Sequence, residues 1–570
     1  MSSRALAIGV VGLGPLVVAA ALRLPPVNQL EYADAWFYSA YAWVPRHHFA
    51  VFEWNYFSVR FPAVLSIGIF ERIFGAQEGY VVLRYLLAVG SGGGLYLGVR
   101  RFASGWIALA AVALLYLNPF FSRMLLWDYA NFIVVSAGVA GFALWWWADS
   151  RPARWAALPG TAVAIAVYAN VILLTAVLVL VVVEAVAAAR SGRRALLHLA
   201  QRVGVAALSA IAVLLVGYVS YLRFSAASPD DLLRPTIDFL VANDENSALY
   251  QRPIREWLYH ELRIWAPIVT SLALVVVLGR RVLGTDLQAR IAQVCIGYTA
   301  FLWLYRFTVT SAVLETWWAY NVVVIVTAPA LGVLIQAFGR EWRSDRFRAL
   351  MSVAVSGGAA LVIRTLAEPM VDLYGSIASR PRLLFSVVAA AAVVVLLARL
   401  GPFGLRAAAF GCVLLALSFI SWSPSALDGR GTTGVFAVDG DLEWDTYAAG
   451  KEFVEVVRDH DSRASRVYTW YPDPSGPDSI GWTTLPHLGT TVHQVGAASA
   501  MNRLEPLGRA RLLQPDAAYV LALSTRPRDV DDARRALVSA GFRGRTVKRG
   551  RLAEGRLNYV LILLTRKPPA

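Results

Sequence analysis

Cysteine is almost missing from this chain. The 570 residues hold two, Cys295 and Cys412, and both fall inside apolar runs. A disulfide framework and a thiolate metal site are thereby excluded. Charge is scarce too: 16% of residues are charged, against roughly a quarter in a soluble chain, while 57% are hydrophobic. Such a balance excludes a soluble globular protein and predicts a polytopic membrane protein. Lysine is rarer still, with only Lys451, Lys548 and Lys567 among 53 basic residues, a bias that fits a GC-rich bacterial genome. The net charge of +15 raises the question of nucleic acid. The arginines answer it, because most lie in short links between apolar spans, where membrane orientation places them. Nucleic acid is not an expected partner.

Windows of about 20 apolar residues can cross about 30 Å of hydrocarbon. They predict spans near 5–23, 80–99, 105–121, 131–147, 156–169, 171–189, 203–221, 264–280, 291–305, 319–338, 350–366, 383–399 and 405–422, about thirteen helices in all. The run "ALPGTAVAIAVYANVILLTAVLVLVVVEAVAAAR" is too long for one helix, and a turn is predicted at Tyr168–Asn170. Arginine-rich links (Arg100/Arg101, Arg151/Arg154, Arg190 to Arg202, Arg280 to Arg290, Arg340 to Arg348, Arg399/Arg406) fall on one side. By the positive-inside rule that side is cytoplasmic. The expected location is the inner (plasma) membrane, multi-pass, with a cytoplasmic N-terminus and an extracytoplasmic C-terminal domain.

Composition changes near residue 423. The expected division is a transmembrane domain over 1–422, with outer loops 24–79, 119–130 and 222–263, and an α/β domain over 423–570. The tail carries an amphipathic stretch "EWDTYAAGKEFVEVVRDH" and strand-like runs "SRVYTWY", "AAYVLALS" and "NYVLILLTR". "RDVDDARRALVSAGF" reads as a helix closed by glycine.

Chemistry concentrates on the outer loops. Arg60, Arg123 and Arg306 run against the positive-inside trend there. Each alone could snorkel to headgroup phosphates. Together with carboxylates on the same face, they suit a lipid phosphate and a hydroxyl to be deprotonated. Other signals are weaker. His47 and His48 lack the further ligands that zinc needs, and "GSGGGLYLG" at 90–98 lacks the lysine of a phosphate loop. A role for a divalent metal stays open.

From Asp34, the run "DAWFYSAYAWVPRHHFAVFEWNYFSVRFPAVLSIGIFERIFGAQEGYVVLRYL" resembles the first loop of the GT-C glycosyltransferases. The nearest subgroups are the protein O-mannosyltransferases and the lipid A aminoarabinose transferases. "NPFFSRMLLWDYANFIVV" is similar to their second loop, and "ETWWAYNVVVIVTAPALGVLIQAF" to a late helix that begins with a tyrosine, here Tyr320. The likeness spans roughly residues 5–340. Two departures stand out: the Asp-Glu pair is Asp34-Ala35, and the basic-Pro-Pro stretch is Arg60-Phe61-Pro62.

The resemblance implies a GT-C-like fold and transfer of a monosaccharide from a polyprenyl-phosphate donor to an extracytoplasmic glycan, lipid or protein. It casts Asp34 as general base and Asp128 as the group that orients the acceptor or holds an arginine. Arg60, Arg123 and Arg306 would bind the donor phosphate. Glu31, Trp36, Tyr38 and Tyr320 would contact acceptor or sugar. Two other classes compete: a transporter or flippase of lipid-linked sugars, and a membrane scaffold whose tail binds partners. Against the transporter stands the lack of internal repeats and of matching broken helices in two halves.

Overall fold

The computed structural model describes residues 3–21, 60–74, 76–118, 131–171, 173–225, 285–309, 316–344, 467–470, 500–501, 518–524, 542–552 and 557–566, together with a few isolated residues, among them Tyr38, Tyr41 and Ala42. Within the helices, the side chains of 302–323 lie outside that description.

Ten α-helices are described: α1 Ser3–Ala21, α2 Phe61–Phe74, α3 Ala76–Arg100, α4 Gly105–Leu117, α5 Asn131–Trp147, α6 Ala157–Ala169, α7 Leu173–Ser191, α8 Arg193–Ser225, α9 Asp286–Val309 and α10 Thr316–Ser344. Among the described residues, four helical segments are long and apolar enough to cross a membrane: Val81–Arg100, Phe132–Ser150, Leu173–Ser191 and Arg193–Phe224. The expected spans 264–280, 350–366 (apart from Leu350), 383–399 and 405–422 lie outside the described residues.

Helix α5 is apolar on every side, "NFIVVSAGVAGFALWWW", and such a helix belongs in an interior. It packs against α3, α6 and α10. Small residues set the closeness of that packing: a Cβ built on Gly94 of α3 would lie 2.8 Å from the Ala140 Cα of α5. Helix α8 is the counterpart at the periphery, with Leu208, Leu215, Val216 and Val219 exposed, as lipid-facing side chains would be. It starts at Arg193, so the expected inner link up to Arg202 is itself helical. Its 33 residues make about 50 Å of helix.

Two local features position the charged residues of the first loop and the break between spans. The predicted break between the fifth and sixth spans is present: Asn170 leaves helical geometry (φ −155, ψ 111) and ends α6. Helix α2 has no counterpart among the expected elements, because its 14 residues are too few to span hydrocarbon. Pro62 sits in its first turn, where a missing N–H costs nothing. The Arg60 carbonyl accepts the first helical bonds, from Ala63 N (3.0 Å) and Val64 N (3.4 Å).

Among the described residues, the tail contains a five-stranded sheet of β1 Val467–Trp470, β2 Ala500–Met501, β3 Ala518–Ser524, β4 Phe542–Leu552 and β5 Leu557–Arg566, ordered β2-β1-β3-β5-β4. Strand β1 pairs in parallel with β2 and β3, and β5 runs antiparallel to β3 and β4. The three strand-like runs named from the sequence become β1, β3 and β5. Of the predicted tail helix, Asp531, Arg535 and Leu537 are described and helical. The amphipathic stretch 443–460 lies outside the described residues.

Candidate functional site

Arg60 is the one proposed phosphate ligand whose side chain is described. It sits immediately before α2 and is buried, with 9% of its surface exposed. Its Nη1 donates a hydrogen bond to the Tyr38 hydroxyl at 2.9 Å. Tyr38 and Tyr41 are themselves fully buried. The sequence proposes Arg60 and Tyr38 for separate tasks, and the fold joins them across 22 residues.

Arg60 also lines a cavity of about 610 Å³ whose other walls are α6, α7 and α8. At the Arg60 end stand Tyr168, Asn170 and Tyr218, with Phe61 packed 5.8 Å from the Tyr168 ring. Trp145 marks the far end, beside Pro159 and Val203. From Val203 to Tyr218 along α8 is about 22 Å, some two thirds of the hydrocarbon thickness. Between these ends the lining is valine, leucine, alanine and glycine. Gly160 lets α6 and α8 close that wall: a Cβ there would lie 2.6 Å from the Ala206 Cα. The result is a long apolar slot with a guanidinium at one end, the shape and polarity of a lipid whose head carries an anion.

A second polar cluster lies beyond the Trp145 end. Arg202 Nη1 bonds Asp149 at 2.6 Å, and its Nη2 donates to the Trp145 carbonyl at 2.5 Å. Arg290 bridges Asp149 at 2.9 Å and also pairs with Glu184. Two carboxylates and two guanidiniums thus balance, tying α7, α8 and α9 to the end of α5. Losing one member of a buried set leaves an uncompensated charge, at a cost of about 3–5 kcal/mol. This cluster is a fastening and offers no reacting atom to the cavity.

The remaining proposed residues divide in two. Glu31, Asp34, Trp36, Arg123 and Asp128 lie outside the described residues. Arg306 falls in the last turn of α9 and Tyr320 in the second turn of α10, with their side chains outside the description. Among the described residues, no group of three or more His, Cys, Asp or Glu side chains comes together as a metal site.

The whole-chain architecture has known counterparts. The crystal structure of ArnT from Cupriavidus metallidurans bound to undecaprenyl phosphate is similar over 98% of this chain and 97% of that one, with a TM-score of 0.50 and 16% identity. The chain has the GT-C fold. It is a polytopic helical membrane protein. Apo ArnT aligns at a TM-score of 0.45 and 14% identity, covering 96% and 97% of the two chains. The Archaeoglobus fulgidus oligosaccharyltransferase tethered to an acceptor peptide aligns at 0.40 and 12%, covering 97% of this chain and 74% of that one. No family model and no curated protein sequence matches the chain.

Within this GT-C fold, most of the cavity is invisible to sequence reasoning. Tyr168 and Asn170 carry a signal, since the predicted break between spans falls on them, but it reads as a turn only. Tyr218 and Trp145 carry none, because an aromatic in an apolar span reads as packing. Glu184 does carry one: a carboxylate inside a hydrophobic run marks a buried pair.

Proposed function

We propose that this chain is a membrane glycosyltransferase that takes a sugar from a polyprenyl-phosphate donor and passes it to an acceptor outside the cytoplasm. The observation that carries the reading is the apolar cavity ending at the buried Arg60, which suits an isoprenoid tail below an anionic head. The GT-C fold, shared with an ArnT crystallised on undecaprenyl phosphate, supports it. Residues 1–422 form the transferase domain in this reading, and 423–570 a separate extracytoplasmic α/β domain.

In the proposed reaction the acceptor hydroxyl oxygen attacks the anomeric carbon, and the bond from that carbon to the phosphate oxygen breaks. Asp34 takes the hydroxyl proton as general base. Polyprenyl phosphate departs, and the charge growing on its oxygen meets Arg60, with Arg123 and Arg306 as its companions. A guanidinium in a poorly hydrated pocket acts strongly there, since water no longer screens it. Asp128 orients the acceptor or steadies an arginine.

The test is a donor panel. Purified protein in vesicles is given polyprenyl phosphates bearing different radiolabelled sugars, and both transferred sugar and released polyprenyl phosphate are measured. Equal release of lipid phosphate and gain of glycosylated acceptor is the expected result. Movement of intact donor across the vesicle with no cleavage would replace the transferase with a flippase.

A further inference from the structure

Strand β4 reads "FRGRTVKRGRL" and is, among the described residues, the outermost strand of the tail sheet. Five of its residues, Arg543, Arg545, Lys548, Arg549 and Arg551, are cationic and exposed, and it has no acid. Its inner neighbour β5 is apolar and buried at Tyr559, Val560, Leu561 and Ile562. The sheet therefore passes within two strands from a dry interior to a rim of positive charge.

Register decides where the charges go. Period-two alternation would put residues 543, 545, 547, 549 and 551 on one face. A bulge between Thr546 and Lys548 interrupts that pattern. Arg543, Arg545 and Lys548 then stand opposite Thr565, Leu563 and Leu561 on one face, while Arg549 and Arg551 stand opposite Val560 and Asn558 on the other. Cations consequently flank the edge on both sides along about 27 Å of strand. One of them, Arg549, is shared with Asp531 at 3.2 Å.

Charges on an edge strand also discourage pairing with another chain, a task that one or two ions of either sign would perform. Five cations on a strand that has no acid of its own, against the single described pairing to Asp531, exceed that need and select for a polyanion. The chain's own spanning helices tether this sheet beside a lipid surface, so a membrane is the polyanion it meets at the highest effective concentration. We propose that β4 is a membrane-docking edge that binds anionic phospholipid headgroups and holds the tail sheet against the bilayer. The role is independent of the transfer reaction.

The experiment uses the full chain with Cys412→Ser and Thr546→Cys, Cys295 being fully buried and left in place. A fluorophore on the introduced thiol reports its distance to acceptor-labelled headgroups in nanodiscs. The discs contain phosphatidylcholine alone or with phosphatidylglycerol. Energy transfer should rise with phosphatidylglycerol and fall at high salt. Each cation near an anionic surface shifts the docked ratio about fivefold, so Arg543→Gln/Arg545→Gln/Lys548→Gln should lower it on the order of a hundredfold. Arg543→Lys/Arg545→Lys keeps the charge and should keep docking, which separates a lost contact from a misfolded sheet. Transfer that ignores both lipid charge and the triple substitution overturns the proposal. So does a triple variant that merely self-associates, which would make the charges edge protection. An added acidic polysaccharide that binds through β4 while phosphatidylglycerol has no effect would assign the edge to a polymer instead.

Discussion

Replacing Arg60 with alanine isolates the charged end of the cavity. In the native protein its guanidinium is buried and bonded to the Tyr38 hydroxyl at 2.9 Å. A hydrogen bond to a charged group is worth about 1.5–3 kcal/mol, so loss of one to the lipid phosphate should weaken binding about tenfold to a hundredfold. The informative comparison pairs polyprenyl phosphate with the uncharged polyprenol, which shares the tail and lacks the anion. Wild-type protein should prefer the phosphate, and Arg60→Ala should lose about tenfold to a hundredfold of that preference, keeping the part that Arg123 and Arg306 supply. Tyr38→Phe removes only the hydroxyl that accepts from Arg60. It should cost a smaller part of the preference alone, and less than that on top of Arg60→Ala, because residues in contact are not additive. Binding is read by titrating the lipids into purified protein and following intrinsic tryptophan fluorescence. If Arg60→Ala keeps the full preference for phosphate while folded, the anion is held elsewhere and the cavity's polarity argument fails.

Three further outcomes are expected. Asp34→Asn keeps size and hydrogen bonding but cannot accept the proton, so sugar transfer should drop about 10²–10⁴-fold while lipid binding persists; near-normal turnover would remove Asp34 from the base role. Ala207, an exposed residue of the cavity wall, tests the tail: Ala207→Trp should weaken long polyprenyl phosphates and spare short-chain analogues, and equal loss for both would argue against a tail in the slot. Glu71 on α2 is buried, neither carboxylate oxygen has a hydrogen-bond partner among the described residues, and desolvation holds its carboxyl well above the usual carboxylate range, against the opposing pull of Arg72. A raised acid favours the folded state below its unfolded pKa and loses that contribution as pH rises through the folded pKa, so thermal unfolding scans should show stability falling toward alkaline pH, and Glu71→Gln should flatten that fall.

The sequence alone determined the class of this protein. Few charges and long apolar runs leave no other solvent than lipid, and helix is then the way to satisfy the backbone in such runs. It also located the break at Asn170 and three of the five strands, since β1, β3 and β5 are apolar enough to show as strands. Strand β4 escaped notice because "FRGRTVKRGRL" has no apolar alternation, and its pairing with β5 is a nonlocal event. Arg60 and Tyr38 were legible as chemistry but not as partners, because 22 residues of chain separate them and only folding sets their 2.9 Å contact. The cavity was hidden for a similar reason. Its walls are ordinary valines, leucines and alanines, identical in sequence to residues that fill a core. Whether such side chains meet or stand apart around a space depends on how α6, α7 and α8 cross. That is set by close approaches such as Gly160 on Ala206, which hydrophobic periodicity does not encode.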